Sequence, residues 1–178
     1  MADYLMTVFN NIVKRYRDMG DDTHAEVVDV RRAEVTLSLK PTITAGAYAD
    51  GDAVGGLLEF EDAALNDGGG GIVKNMLIID DAGQDATLEL WLFNQEFTPI
   101  VDNAAWAPSE LDLENWIGTL TTAELGWNAA GTPSTITIDT DLGYNLLGTS
   151  LFGQLVTRDI ITPTATDDIT VKIVLLQN

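Results

Sequence analysis

The chain contains no cysteine. Disulfide frameworks, thiol nucleophiles and zinc–thiolate sites are therefore excluded. It contains one histidine, His24. A histidine-based triad or a histidine-rich metal site thus has a single anchor, and that anchor lies in the polar run Met19-Gly20-Asp21-Asp22-Thr23-His24. An exposed or interface histidine is expected there, because a general base needs a shaped pocket around it. Basic residues are scarce, with nine Lys+Arg against 28 Asp+Glu and a formal net charge of −19. This balance argues against nucleic acid as a partner, since that affinity comes from cations neutralising phosphates. It argues equally against an anionic membrane surface. No apolar run approaches the length of about 18 residues that a spanning helix needs. The first residues lack the compact apolar stretch and small-residue cleavage site of a signal peptide, so a cytosolically made, unprocessed protein is expected. No GxSxG, Walker A or GxGxxG motif occurs, and nothing points to a cofactor.

What is present is a chain of 178 residues, 46% apolar, enough for one domain with a sizeable core. Its charge is unevenly placed. Residues 1–40 hold six of the nine basic groups (Lys14, Arg15, Arg17, Arg31, Arg32 and Lys40) against seven acids, for a net −1. Residues 41–178 hold Lys74, Arg158 and Lys172 against 21 acids, for a net −18. The expected organisation is an N-terminal arm and hairpin over 1–40, acting as a docking segment, and an acidic body over 41–178.

Residues 5–16 read two ways. Leu5, Val8, Phe9, Ile12 and Tyr16 fall near helical spacing, yet the segment is rich in β-prone residues. Residues 15–32 read as a hairpin turning through Asp18-Met19-Gly20-Asp21-Asp22. Ala33–Leu39 alternates apolar and polar as a half-buried strand, and Pro41 ends it. Further strands are expected at 57–61, 72–79, 86–93, 135–140, 152–157 and 169–176, with Gly68–Gly71 as a flexible loop and Asp80–Asp85 as a hairpin turn. One helix is expected after Pro108. Ser109 with Asp112 forms an N-terminal box, Leu113, Trp116, Ile117 and Leu120 follow at helical spacing with Trp116 in the core, and Gly118 stops it. Short strands punctuated by turns give an all-β fold, a β-sandwich or jelly-roll-like body with an extended N-terminal arm and one short helix.

Asp50/Asp52, Asp139/Asp141 and Asp167/Asp168 pair hard oxygen ligands in loops, as calcium sites do. Asp in turns also bonds its own backbone, which accounts for each pair without a metal. A glycosidase carboxylate pair has no recognisable motif here. Of the four tryptophans, Trp91 lies opposite Leu88, Leu90 and Leu92 on its strand. It is the candidate for a subunit contact, unless a second sheet covers Trp91 and Phe93.

Several segments, in order, resemble a known family. They are residues 15–28 (Arg15-Tyr16-Arg17-Asp18 through Val27-Val28), Ala47-Tyr48-Ala49-Asp50-Gly51-Asp52-Ala53-Val54-Gly55-Gly56, Gly70-Gly71-Ile72-Val73, Leu88-Glu89-Leu90-Trp91-Leu92-Phe93-Asn94, Asp102-Asn103-Ala104-Ala105-Trp106-Ala107-Pro108-Ser109 and Ile117-Gly118. Over roughly residues 15–120 the chain resembles tailed-bacteriophage virion structural proteins, the head decoration (cement) or head-fibre family. The resemblance implies a β-rich, non-enzymatic homotrimer on the outer surface of the capsid, with the major capsid protein as partner. It carries over no catalytic residue. Partner contacts are then expected at Arg15, Arg17, His24, Arg31, Arg32 and Trp91, the arginines pairing with acidic groups on the shell. The alternatives are a tail, collar or fibre component, and a carbohydrate-binding module using Trp91 and Trp127.

Overall fold

In the computed structural model the chain divides into two units, Met1–Arg31 and Arg32–Asn178. The structure describes residues 3–9, 12–18, 24–27, 33–123 and 125–178. The N-terminal unit is a three-stranded antiparallel sheet in the order β1 (Asp3–Phe9), β2 (Ile12–Asp18), β3 (His24–Val27). Within the ambiguous segment 5–16, the described residues 5–9 and 12–16 are therefore strand. The β1–β2 register shifts between Leu5 and Val8, and a shift of this kind breaks the two-residue period and leaves a spacing that resembles a helix. The expected hairpin is present as the pairing of β2 with β3, from Arg15↔Val27 to Asp18↔His24. Its turn at 19–23 lies outside the described residues.

The second unit begins earlier than charge suggested. Ala33–Leu39 is strand β4, hydrogen-bonded to the final strand of the body, so the break falls before residue 33 rather than after residue 40. The remaining elements are β5 (Ala53–Phe60), β6 (Gly70–Asp80), β7 (Leu88–Phe93), α1 (Glu110–Leu113), β8 (Trp116–Thr121), β9 (Asn128–Ala129), β10 (Ser134–Asn145), β11 (Leu151–Thr157) and β12 (Ile169–Gln177). They form two antiparallel sheets, β4-β12-β6-β10-β9 and β5-β11-β7-β8. From β4 to β12 the chain crosses between the sheets at six of eight connections, and apart from β7–β8 and β9–β10 the neighbours within a sheet are distant in sequence. With β9 as an added edge, this is the eight-stranded jelly-roll arrangement of a β-sandwich.

Alternation builds the core. Leu88, Leu90 and Leu92 of β7, Val171, Ile173 and Leu175 of β12, and Val54, Leu58 and Phe60 of β5 meet between the sheets, each almost fully buried. Two expectations about the connections change. The 80–85 turn does not join a hairpin, because β6 and β7 lie in different sheets. Its turn chemistry stands: the buried Asp80 carboxylate accepts backbone N–H bonds from Ala82, Gly83, Gln84 and Asp85 at 2.6–3.2 Å. Gly70 and Gly71 belong to β6 rather than to a loop. A Cβ on Gly70 would sit 2.3 Å from the Tyr144 carbonyl, and one on Gly71 would sit 2.4 Å from the Leu176 carbonyl.

The helix is a single turn. Ser109 caps it as expected, its Oγ accepting from the Asp112 N–H at 3.1 Å, but α1 buries no side chain. The chain then becomes strand β8. The β7–β8 register shifts between Leu92 and Phe93, leaving Ile117 as the extra residue. Ile117 and Leu120 therefore both reach the core three residues apart, a spacing that reads as helical in sequence. Trp116 is thrown to the outside and is 45% exposed rather than in the core.

Tyr144 ties the sheets to the 61–69 loop by donating to the Ala63 carbonyl at 2.6 Å. Burial pushes its phenol up to about 12, against about 10 in an unfolded chain. The folded state holds that proton more tightly. Stability from this group is thus complete below about pH 10 and is lost as pH rises from there through the folded value. Burial and its hydrogen bond to Asp102 raise Tyr48 in the same direction. Urea unfolding at stepped alkaline pH should show falling stability, and Tyr144→Phe should flatten part, not all, of that slope.

Candidate functional site

Of the residues expected to contact a partner, Arg15 and Arg17 occupy β2 opposite Val27 and Ala25, and His24 occupies β3 opposite Asp18. The structure thus brings these three onto one small sheet. Arg31 and Arg32 lie outside the described residues.

Trp91 is half-buried on the outer face of the β5-β11-β7-β8 sheet. Neither a subunit nor a second sheet is needed to cover that face, because residues 94–108 cross it. The segment leaves β7, is held at Ile100 by the fully buried Gln154 of β11, and reaches the edge of β5. There Ala53 N–H donates to Ala104 O and Asn103 N–H donates to Ala53 O, both at 2.8 Å. It returns to lay Trp106 against Trp91, ring centroids 5.4 Å apart. Trp116 packs on Trp91 at the same separation, Phe97 stacks on Phe93 at 4.1 Å, and Phe97 meets Trp106 edge-on at 6.4 Å. These five rings form a satellite core outside the main one. Trp127, paired with Trp91 in the carbohydrate reading, packs instead against the main core.

Beside this row, Arg158 and the Trp91 indole N–H both donate to Glu89 Oε2, at 2.7 and 2.9 Å. Burial alone would push the Glu89 carboxyl up. The Arg158 guanidinium and the Trp91 indole together outweigh burial and hold it below the usual range. Two further body cations are also engaged, Lys40 with Asp81 and Asp167, and Lys74 with Asp141. Four of the six paired aspartates have turn or ion-pair roles: Asp52, Asp141, Asp167 and Asp168. Asp52 accepts from Ala49 N–H, and Asp168 accepts from the Thr164 and Ala165 N–H groups and the Thr164 hydroxyl. Among the described residues, no three potential side-chain ligands cluster as they would around an ion.

The strongest surface feature was not expected from sequence. Antiparallel topology places the β5–β6, β7–β8 and β10–β11 connections at one end of the body. Backbone bonds stitch them together: Ala64 N–H to Thr149 O, Gly68 N–H to Gly148 O, Leu146 N–H to Gly69 O, Leu147 N–H to Asn94 O, and Asn94 N–H to Asn115 O, at 2.8–3.2 Å. On this fixed platform Leu65, Leu111, Leu113, Trp116 and Leu147 are all exposed, Leu111 by 71% and Leu147 by 66%. The same three loops carry the exposed carboxylates Glu61, Asp62, Asp67, Glu96, Glu110 and Glu114 and contain no Lys or Arg. A sequence signal existed in Glu110-Leu111-Asp112-Leu113-Glu114. Apolar and acidic residues alternate there inside one helical turn, so the leucines cannot share a buried face.

No protein-family model matches the chain, and no curated protein matches it. Among solved structures, the chain is similar to one in the structure of infectious bursal disease virus Gt strain, with a TM-score of 0.33 and 11% identity. The similarity covers 96% of this chain and 44% of the viral one.

Proposed function

We propose that the chain is a non-enzymatic structural protein of a virus particle, a capsid decoration (cement) protein of a tailed bacteriophage that binds the major capsid protein on the outside of the head. The observation that carries this reading is the loop platform. Several large apolar side chains exposed among carboxylates, on loops tied together at one end of the body, suit a protein–protein interface. The N-terminal sheet is a second attachment element. Residues 1–31, which contain it, hold four basic residues against six acids, whereas residues 32–178 hold five against 22, a net −17. Two modest contacts made together give avidity that neither has alone.

Co-sedimentation with expanded heads prepared without the protein tests this. The whole chain should pellet with heads, and Leu111→Asp combined with Leu147→Asp should weaken binding at least tenfold. Residues 32–178 alone should keep a cooperative unfolding transition and lose most of the binding. A whole chain that stays in the supernatant would reject the decoration role. Copy number in purified virions then separates a shell protein, present many times per particle, from a tail or collar part.

A further inference from the structure

We infer that β4 is a self-association edge, through which two copies of this chain join their five-stranded sheets across a two-fold axis. This goes beyond the virion reading and does not depend on it.

The other edges of the sandwich are covered in part or interrupted by register shifts. β5 is covered by residues 101–106, with the Gly55 N–H donating to Asp102 at 2.6 Å in addition to the bonds at Ala53. β10 is capped by β9 at Ser134 and Thr135, and the rest of that edge is broken by a register shift between Asp139 and Leu142. β8 is irregular next to Phe93 and lies against Leu142 of β10. β4 differs. Among the described residues it pairs with β12 alone, through seven consecutive positions from Ala33↔Gln177 to Leu39↔Val171 without a register shift. Within 33–39 there is no proline, glycine, lysine or bulge, the devices by which natural edges resist pairing. The inward residues also show the open side. Val35, Leu37 and Leu39 are only half-buried, whereas Val171, Ile173 and Leu175 on the neighbouring strand are fully buried.

The sequence of the strand specifies a second copy as occupant. Ala33-Glu34-Val35-Thr36-Leu37-Ser38-Leu39 has nearly the same pattern in both directions about Thr36. Two antiparallel copies centred there place Val35 opposite Leu37 and Ala33 opposite Leu39 on the inner face. Glu34 stands opposite Ser38 on the outer face, so no like charges meet directly. The contact is isologous, the same patch on both partners, as a two-fold axis requires. Each copy carries −19, so long-range repulsion opposes pairing, and added salt should tighten it by screening. Pairing with a basic partner would respond to salt in the opposite sense.

The absence of cysteine makes the test clean. Sedimentation velocity of the full chain should show a monomer–dimer equilibrium that shifts several-fold towards dimer between low and high salt. Thr36 is exposed, so Thr36→Lys should leave the far-UV spectrum unchanged, yet it sets two ammonium groups face to face and should weaken the dimer at least tenfold. Under oxidising conditions Thr36→Cys should give a covalent dimer, and the control Thr137→Cys, exposed on β10, should not. A monomer at all concentrations, a trimer, a dimer untouched by Thr36→Lys, or equal cross-linking at both cysteines would each overturn the inference.

Discussion

Replacing Gln154 by leucine is expected to destabilise the body by about 3 kcal/mol or more, from the desolvation cost of three stranded polar groups. Gln154 is fully buried on the outer face of β11. Its Oε1 accepts from Ile100 N–H at 3.0 Å, and its Nε2 donates to Ile100 O at 2.6 Å and to Gly55 O at 2.8 Å. Leucine fills a similar volume but satisfies none of these groups, and each orphan costs about 1–3 kcal/mol. For a chain of this size the loss lowers the melting temperature by roughly 6–12 °C. The effect should also be visible locally. Ile100 is the midpoint of the segment that lays Trp106 on Trp91, so its release should shift tryptophan fluorescence to the red before global unfolding. A loss below about 1 kcal/mol would mean that the aromatic row holds the segment without Gln154.

Gly71→Ala should be comparably damaging. A single methyl there would lie 2.4 Å from the Leu176 carbonyl and 2.7 Å from the Tyr144 hydroxyl. Neither neighbour can yield cheaply. Leu176 O belongs to the backbone of β12, and the Tyr144 hydroxyl is fixed by its bond to Ala63 O. Overpacking of this kind costs about 3 kcal/mol when the surroundings are rigid. Gly143→Ala is the matched control, since a methyl at that position on the next strand meets nothing within 4 Å. Urea midpoints of the two variants should differ clearly, with Gly143→Ala within about 0.5 kcal/mol of the parent. Equal midpoints would show that β6 and β12 separate easily at this end.

These two positions also show what could and could not be read beforehand. The fold class was legible, because alternation survives wherever a strand lies flat with one face on the core. Ala33–Leu39 has the bounds its pattern predicts, and 169–176 differs by one residue from the observed Ile169–Gln177. Reading failed where a register shift interrupts the period. Ile117 and Leu120 mimic a helix because one residue of β8 is extra, and 5–16 was ambiguous where β1 carries its own shift. It failed again where glycine is required by a neighbour from another part of the chain, as at Gly70 and Gly71. The candidate surface was the least legible. Its leucines come from loops up to 82 residues apart, Leu65 to Leu147, and only cross-loop backbone bonds bring them together. Trp91 lies on the outer side of β7, as its alternation with Leu88, Leu90 and Leu92 predicts, and the chain's own 94–108 segment packs on it.

The position of β12 has a consequence for how the protein comes to be folded. It is the last strand in chain order, yet it lies between β4 and β6, pairing Gln177 with both Ala33 and Gly71. On a ribosome, β4 and β6 have no neighbour on that side until the chain has been synthesised through residue 177. Pairing across such separations closes large loops before any contact rewards it, and it places folding in the milliseconds-to-seconds range of non-local β topologies. The nascent chain therefore waits with two hydrophobic strand edges unpaired, the state in which β proteins aggregate. Mutual repulsion among the 22 acids of residues 32–178 acts throughout that interval. On this view the acidity protects the growing chain as much as it solubilises the finished one.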